Sequence, residues 1–163
     1  VQFSERLTNS AAFGVLFREG MDLVEETAAY LDGDGRTEAK ALERSVSLTY
    51  ATESMRLTTR LMQLASWLLL QRAIGSGEMN QEDAGKEKHR ISLTDIGRGN
   101  PLQGGEQLPA GLIDLVERSL RLHGRVLKLD VMVNMQAKAI QQQANPVDHH
   151  LDRIASVFNA ARG

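Results

Sequence analysis

The residues best suited to chemistry sit on one stretch of the chain, His123, Asp130 and Asn134. A histidine beside a carboxylate can serve as a general base. Here seven residues separate the two, about two helical turns, which is beyond direct contact along one helix. No nucleophile is tied to them by position. Read without catalysis, polar residues between two apolar stripes fix helix register or oligomeric state, as a buried Asn does in coiled coils. That structural seam is the expectation, and a helical enzyme or small-ligand binder using His123 and Asp130 is the rival.

Other candidate sites carry less. His149 and His150 are adjacent, so on a helix they diverge by about 100°, poor geometry for one metal ion. No Glu-x-x-His pair of the carboxylate di-iron type is present. Asp32-Gly33-Asp34-Gly35 invites a calcium loop, but the twelfth position, Glu43, falls inside a helical pattern. The glycines around Gly97–Gly105 match neither GxGxxG nor GxxxxGK[ST], and no strand precedes them. No metal and no cofactor is expected. Arg56, Arg60, Trp67 and Leu70 fall on the polar side of one helix, and aromatic residues beside arginine have the composition of a binding surface. Alternatively, the segment after Gly75 or the last helix covers Trp67 and Leu70. Glu53, Arg56 and Arg60 also read as a simple ion-pair set.

The elements that position these residues are helices. The chain has 163 residues, no Cys, 4% aromatic residues and a net charge of -2. That length suits one domain, residues 1–163, and the composition with its 3.6-residue periodicity favours an all-α fold. The charge gives no reason to expect nucleic acid as a partner, and no transmembrane segment or signal peptide is read. Absence of Cys fits a reducing cytoplasm.

The first helix runs from about Ser10 to Leu31, with a main stripe Phe13, Phe17, Met21, Val24, Ala28, Leu31 and a weaker row Leu16, Leu23, Tyr30. Its end is marked by Asp32-Gly33-Asp34-Gly35, with the glycines at positive φ and Asp34 or Thr37 capping the next helix. The second helix runs from near Thr37 to Ile74. Leu57, Leu61, Leu64 and Leu68 share one face, extended by Val46 and Tyr50, and Leu48, Met55, Met62 and Leu69 form a second row at seven-residue spacing. Two stripes require partners on two sides. Residues 75–111 read as a flexible connection, where Gly85 argues against a continuous helix over the charged stretch. A third helix starts near Pro109 and runs to about Gln143. Asn145-Pro146 breaks it, and residues 146–163 form a short amphipathic helix with Leu151, Ile154 and Phe158 on its stripe. That segment is a second candidate for partner binding, or it caps the bundle. The expected fold is an antiparallel three-helix bundle with a long mobile loop between helices 2 and 3 and a short C-terminal helix. Its apolar stripes exceed what a monomer can bury, which implies a homodimer.

The wording of the central stretch carries a resemblance. YATESMRLTTRLMQLASWLLLQRAI, with FREGMDLVEETAAYLDGDGR before it and GEM after it, resembles the family of the alphaproteobacterial regulator of CtrA degradation. The resemblance extends over about Phe13–Met79, weakens over the loop and is moderate over the third helix. It implies a dimeric three-helix bundle without enzymatic activity, acting as an adaptor for the ClpXP protease. Such adaptors join ClpX, primed by a response-regulator protein, to cargo or to further adaptors that carry cell-cycle substrates. A cytoplasmic location, with the cell pole as one place of work, goes with it. No short binding motif carries over residue by residue.

Overall fold

The computed structural model describes residues 6–8, 10–91, 93 and 107–144. Five helices are named here: α1 (Ala11–Asp32), α2 (Asp34–Lys40), α3 (Arg44–Gly75), α4 (Gln81–Arg90) and α5 (Ala110–Ala144). The fold is all-helical, with the three long helices α1, α3 and α5 packed together. The chain divides into two compact units, Val1–Leu127 and Lys128–Gly163. In the second, the described part is the last portion of α5, where Val133 is buried and Met132, Met135 and Ile140 are exposed.

Local chemistry sets the helix ends. The Ser10 hydroxyl accepts from the Phe13 N–H at 3.1 Å, satisfying one of the unpaired donors that every helix start leaves. Asn80 caps α4 by accepting from the Asp83 N–H at 2.8 Å, and its own amide donates back to the Asp83 carboxylate. At the end of α3, Gly77 takes φ 75°. The Gly77 N–H then reaches the Ile74 carbonyl and the Glu78 N–H the Ala73 carbonyl, the pair of bonds of a Schellman stop.

The order of contacts fixes the topology. Arg72 of α3 stacks on Phe17, and Leu68 packs at Gly20, so α1 and α3 run antiparallel. Along α5, Gly111 meets Tyr30, Arg118 pairs with Glu26 and Arg125 with Glu19, so α1 and α5 are also antiparallel. It follows that α3 and α5 are parallel to each other, joined side by side by a hydrogen bond from Arg60 to Ser119. Two consecutive parallel helices need a connection that returns the length of the bundle. For the 32 residues of α3 that is about 48 Å. This is the physical reason that the link between them is long. It is partly structured: α4 packs back on α3 and buries Ala84.

Four expectations change. On α1 the buried face is Phe13, Leu16, Gly20, Leu23 and Thr27, so the row that looked weaker is the inward one, while Phe17, Met21 and Val24 are half-buried. Gly20 and Thr27 do not count as apolar in a pattern, yet they are the inward positions. The second helix is divided, α2 and α3 being separated at residues 41–43. At the first turn Gly33 has φ -106° and makes no side-chain cap, so neither positive φ nor an Asp34 or Thr37 cap is used. The glycines there serve close approach instead, for a Cβ on Gly35 would lie 2.6 Å from the Tyr30 ring and one on Gly111 2.7 Å from it. Finally, α4 runs continuously through Gly85, which is exposed with open space beside it. The C-terminal segment with Leu151, Ile154 and Phe158, and residues 92 and 94–106 of the connection, lie outside the described residues.

Gly20 is where α1 takes in both neighbours: a Cβ there would be 2.6 Å from a Leu68 methyl and 3.7 Å from a Leu122 methyl. Helix propensity alone favours replacing this glycine. Packing predicts the reverse, and Gly20→Val should lower the unfolding free energy by about 1–3 kcal/mol in urea denaturation. A second expectation concerns pH. The hydrogen bond from Arg118 holds the Glu26 carboxyl below its ordinary value, against the opposing effect of partial burial. A depressed carboxyl contributes stability above its unfolded pKa and loses it as pH falls through the folded value. The Glu26→Gln chain should therefore lose less stability than wild type between neutral and acid pH.

Candidate functional site

Burial sorts the candidate residues. Trp67 and Arg60 are each 1% exposed and Leu70 is 5% exposed, so the arginine–aromatic patch expected on the surface of α3 is inside instead. The reason is tertiary. Past Leu64 the buried arc of α3 widens to take in Trp67, Leu68, Leu70 and Gln71, at the end of the helix from which the chain turns into α4. Arg60 points toward α5, where its guanidinium donates to the Ser119 hydroxyl at 2.7 Å, which in turn donates to the Val116 carbonyl. Arg56 stays half-buried and pairs with Glu53 at 2.8 Å, two residues of one helix turn. Of the two readings of this patch, the covered one describes Trp67 and Leu70, and the simple ion pair describes Glu53 and Arg56.

The three polar residues of the last long helix are placed differently from one another. His123 is buried at 3% exposure in the first unit. Asp130 and Asn134 belong to the second, where the Asn134 amide donates to the Asp130 carboxylate at 2.9 Å. That bond joins residues one turn apart on the same helix and holds the carboxylate by its own neighbour. At the corner between α1 and α3, the Tyr30 hydroxyl donates to Glu38 at 2.6 Å. Burial first, then this bond, raises the Tyr30 phenol above its ordinary value, and burial likewise raises Tyr50. Among the described residues no group of three or more His, Asp or Glu side chains is placed to hold a metal ion. Nor, among them, is any helix long and apolar enough to cross a membrane.

What faces solvent is the second row of α3. Leu48, Met55, Met62 and Leu69 are 72%, 68%, 66% and 51% exposed, whereas Leu57, Leu61, Leu64 and Leu68 are in the core. The two apolar stripes read from the sequence are thus one core face and one surface face. Exposed apolar residues in a continuous row mark an interaction surface.

The sequence matches the family described as "Protein of unknown function (DUF1465)" over residues 4–158. The chain belongs to this family. Its fold is also similar to a solved structure, that of RcdA from Caulobacter crescentus CB15, with 51% sequence identity and a TM-score of 0.62. The likeness covers 77% of this chain and 93% of that one. A search of the curated proteins finds no match. The match agrees with the resemblance carried by the central stretch. The most tightly packed part of that stretch, Leu57 to Gln71, supplies most of the buried residues of α3.

Sequence reasoning left burial and exposure of Trp67 both open, and the structure buries it. A signal was available in Leu70 and Gln71, which continue the same side and leave the end of α3 with little to show to water. Trp67→Ala should cost about 3–5 kcal/mol of stability, read from denaturant melts, as expected when a buried indole leaves a cavity.

Proposed function

We propose that this chain is a non-enzymatic adaptor in regulated proteolysis. In this reading it is a homodimer that joins the ClpXP protease, with the response-regulator protein that primes it, to protein cargo or to further adaptors carrying cell-cycle substrates. Its place of work is the cytoplasm, with the cell pole as one location. The observation that carries the reading is the 51% identity with RcdA across most of both chains. The placement of the polar residues supports a role without catalysis. Arg60 and Ser119 bond each other between α3 and α5, and Asn134 holds Asp130. These groups tie helices together or fix side chains along one helix, which is what a register-setting seam requires.

An adaptor needs two separable contacts. One is the exposed row of α3, which serves association. The second is the amphipathic C-terminal stretch with Leu151, Ile154 and Phe158 at helical spacing, which suits docking in a groove of a partner. With Trp67 and Leu70 covered, Arg56 is the member of the first candidate patch left at the surface, half-buried at its rim.

The test is capture by purified ClpX with and without its priming response regulator. Retention that needs both proteins, and that falls when Leu151 and Phe158 are changed to Asp, is the expected result. A folded chain that neither ClpX nor the primed complex retains would refute the adaptor reading. His123→Asn should alter stability or association and leave delivery of cargo intact wherever the dimer persists.

A further inference from the structure

The last turns of α5 carry apolar side chains that nothing covers. Val131, Met132 and Met135 are 55%, 47% and 67% exposed, and Ala139 is exposed beside them. On a helix these four fall within about 100° of arc, on the side away from the buried Val133. From Lys128 onward, that lysine alone brings charge into the arc. We infer that this face is the docking site of the chain's own C-terminal segment, residues 146–163, folded back antiparallel along the end of α5. Face and segment belong to the same compact unit, Lys128–Gly163.

Three observations carry the inference. First, the chain leaves α5 at the right place for a return. Asn145-Pro146 follows Ala144 directly. A proline drives the residue before it out of helical conformation, and Asn followed by Pro suits the cap and first residue of a new helix. A connection this short makes two helices an antiparallel hairpin.

Second, the two apolar rows agree in height and in side. Counted from Asn145, Leu151 lies six residues on and Ala139 six back, Ile154 nine on and Met135 ten back, Phe158 thirteen on and Met132 thirteen back. Both helices rise about 1.5 Å per residue, so each pair is level to within one residue. On α5, Met135 is turned to one side of the middle of the face, and Met132 and Ala139 to the other. On the segment, Ile154 is turned to one side of the middle of its stripe, and Leu151 to the other. Between antiparallel helices, equal turns from the facing line bring residues together. Ile154 therefore meets Met135, Leu151 meets the small Ala139, and Phe158 meets Met132, whose flexible thioether packs well on a ring.

Third, the tether selects the occupant. A segment joined through two residues meets this face at an effective concentration on the order of millimolar, far above that of a separate protein at micromolar level. While it is docked, Leu151, Ile154 and Phe158 are covered, and a partner that takes them must displace α5. That consequence rests on the proposed function, whereas the docking itself does not.

The absence of Cys makes the test direct. Helix axes about 8–10 Å apart bring facing Cα atoms within disulfide range, about 4–7 Å. Under mild oxidation the full chain carrying Met135→Cys with Ile154→Cys should form a disulfide within one chain, keeping the monomer mass on a denaturing, non-reducing gel. Ala139→Cys with Leu151→Cys should do the same. Met135→Cys with Ser156→Cys should not, because Ser156 is nearly level with Met135 but on the far side of the segment. In a chain without added Cys, Met135→Asp should make trypsin cleave after Arg153 several-fold faster, since a docked helix must open before it is cut. Disulfides that join two chains instead would give the face to a second copy and overturn the inference. Linkage through Ser156 as ready as through Ile154, or no linkage in either expected pair, would overturn it as well, and so would cleavage at Arg153 that Met135→Asp leaves unchanged. None of these results depends on ClpX, so the adaptor reading stands or falls separately.

Discussion

Everything in the first unit depends on α1 being shared. It is the helix that both α3 and α5 contact antiparallel, and Gly20 is the place where the two meet it at once, through Leu68 and Leu122. A side chain at that position would hold one of them away. Close contact at Gly20 is secured on the solvent side by charge pairs that need little burial, Arg118 with Glu26 and Arg125 with Glu19 at 2.6 Å. Exposed pairs of this kind contribute modestly, so it is the apolar contact that supplies stability and the ions that favour one register. From that register the Arg60–Ser119 bond follows, because α3 and α5 are brought side by side and parallel by their common neighbour.

The corner between α1 and α3 is built by a different device. Tyr30 occupies the space that a Cβ on Gly35 or Gly111 would fill, and its hydroxyl is bonded to Glu38. One aromatic ring thus touches the first helix turn of α5 and the short helix that follows α1. The glycines at this corner are read correctly as a turn and incorrectly as a matter of φ, since it is the lack of a side chain that matters.

Much of the fold was legible in the sequence. The start of the first helix near Ser10, the end of the long one near Ile74, Pro109 before α5 and the Leu57, Leu61, Leu64, Leu68 face all follow from short-range chemistry and are found in place. What was not legible is tertiary. Ala39, Lys40, Ala41, Leu42, Glu43 and Arg44 are good helix formers, so nothing in their propensities calls for the break between α2 and α3. Gly20 and Thr27 face inward because of what lies across from them, which a count of apolar residues cannot register. Trp67 falls on the polar side of a helical wheel, and the wheel does not register which elements pack over that side. The exposed row of α3 was visible as a second stripe, while its being a surface and not a second core face showed only once those side chains were seen to face water.

The parallel course of α3 and α5 has a consequence for how such a chain can diverge. The Glu26–Arg118 contact already joins residues 92 apart. The entropic cost of closing a loop grows only with the logarithm of its length, about 0.6 kcal/mol per doubling. Insertions between Ile91 and Pro109 therefore cost little so long as the returning chain still spans the bundle, whereas one added residue between α1 and α3 would disturb the packing at Tyr30. The long link is the place where members with one bundle can differ in length and gain new sequence, and the short corner is where they cannot.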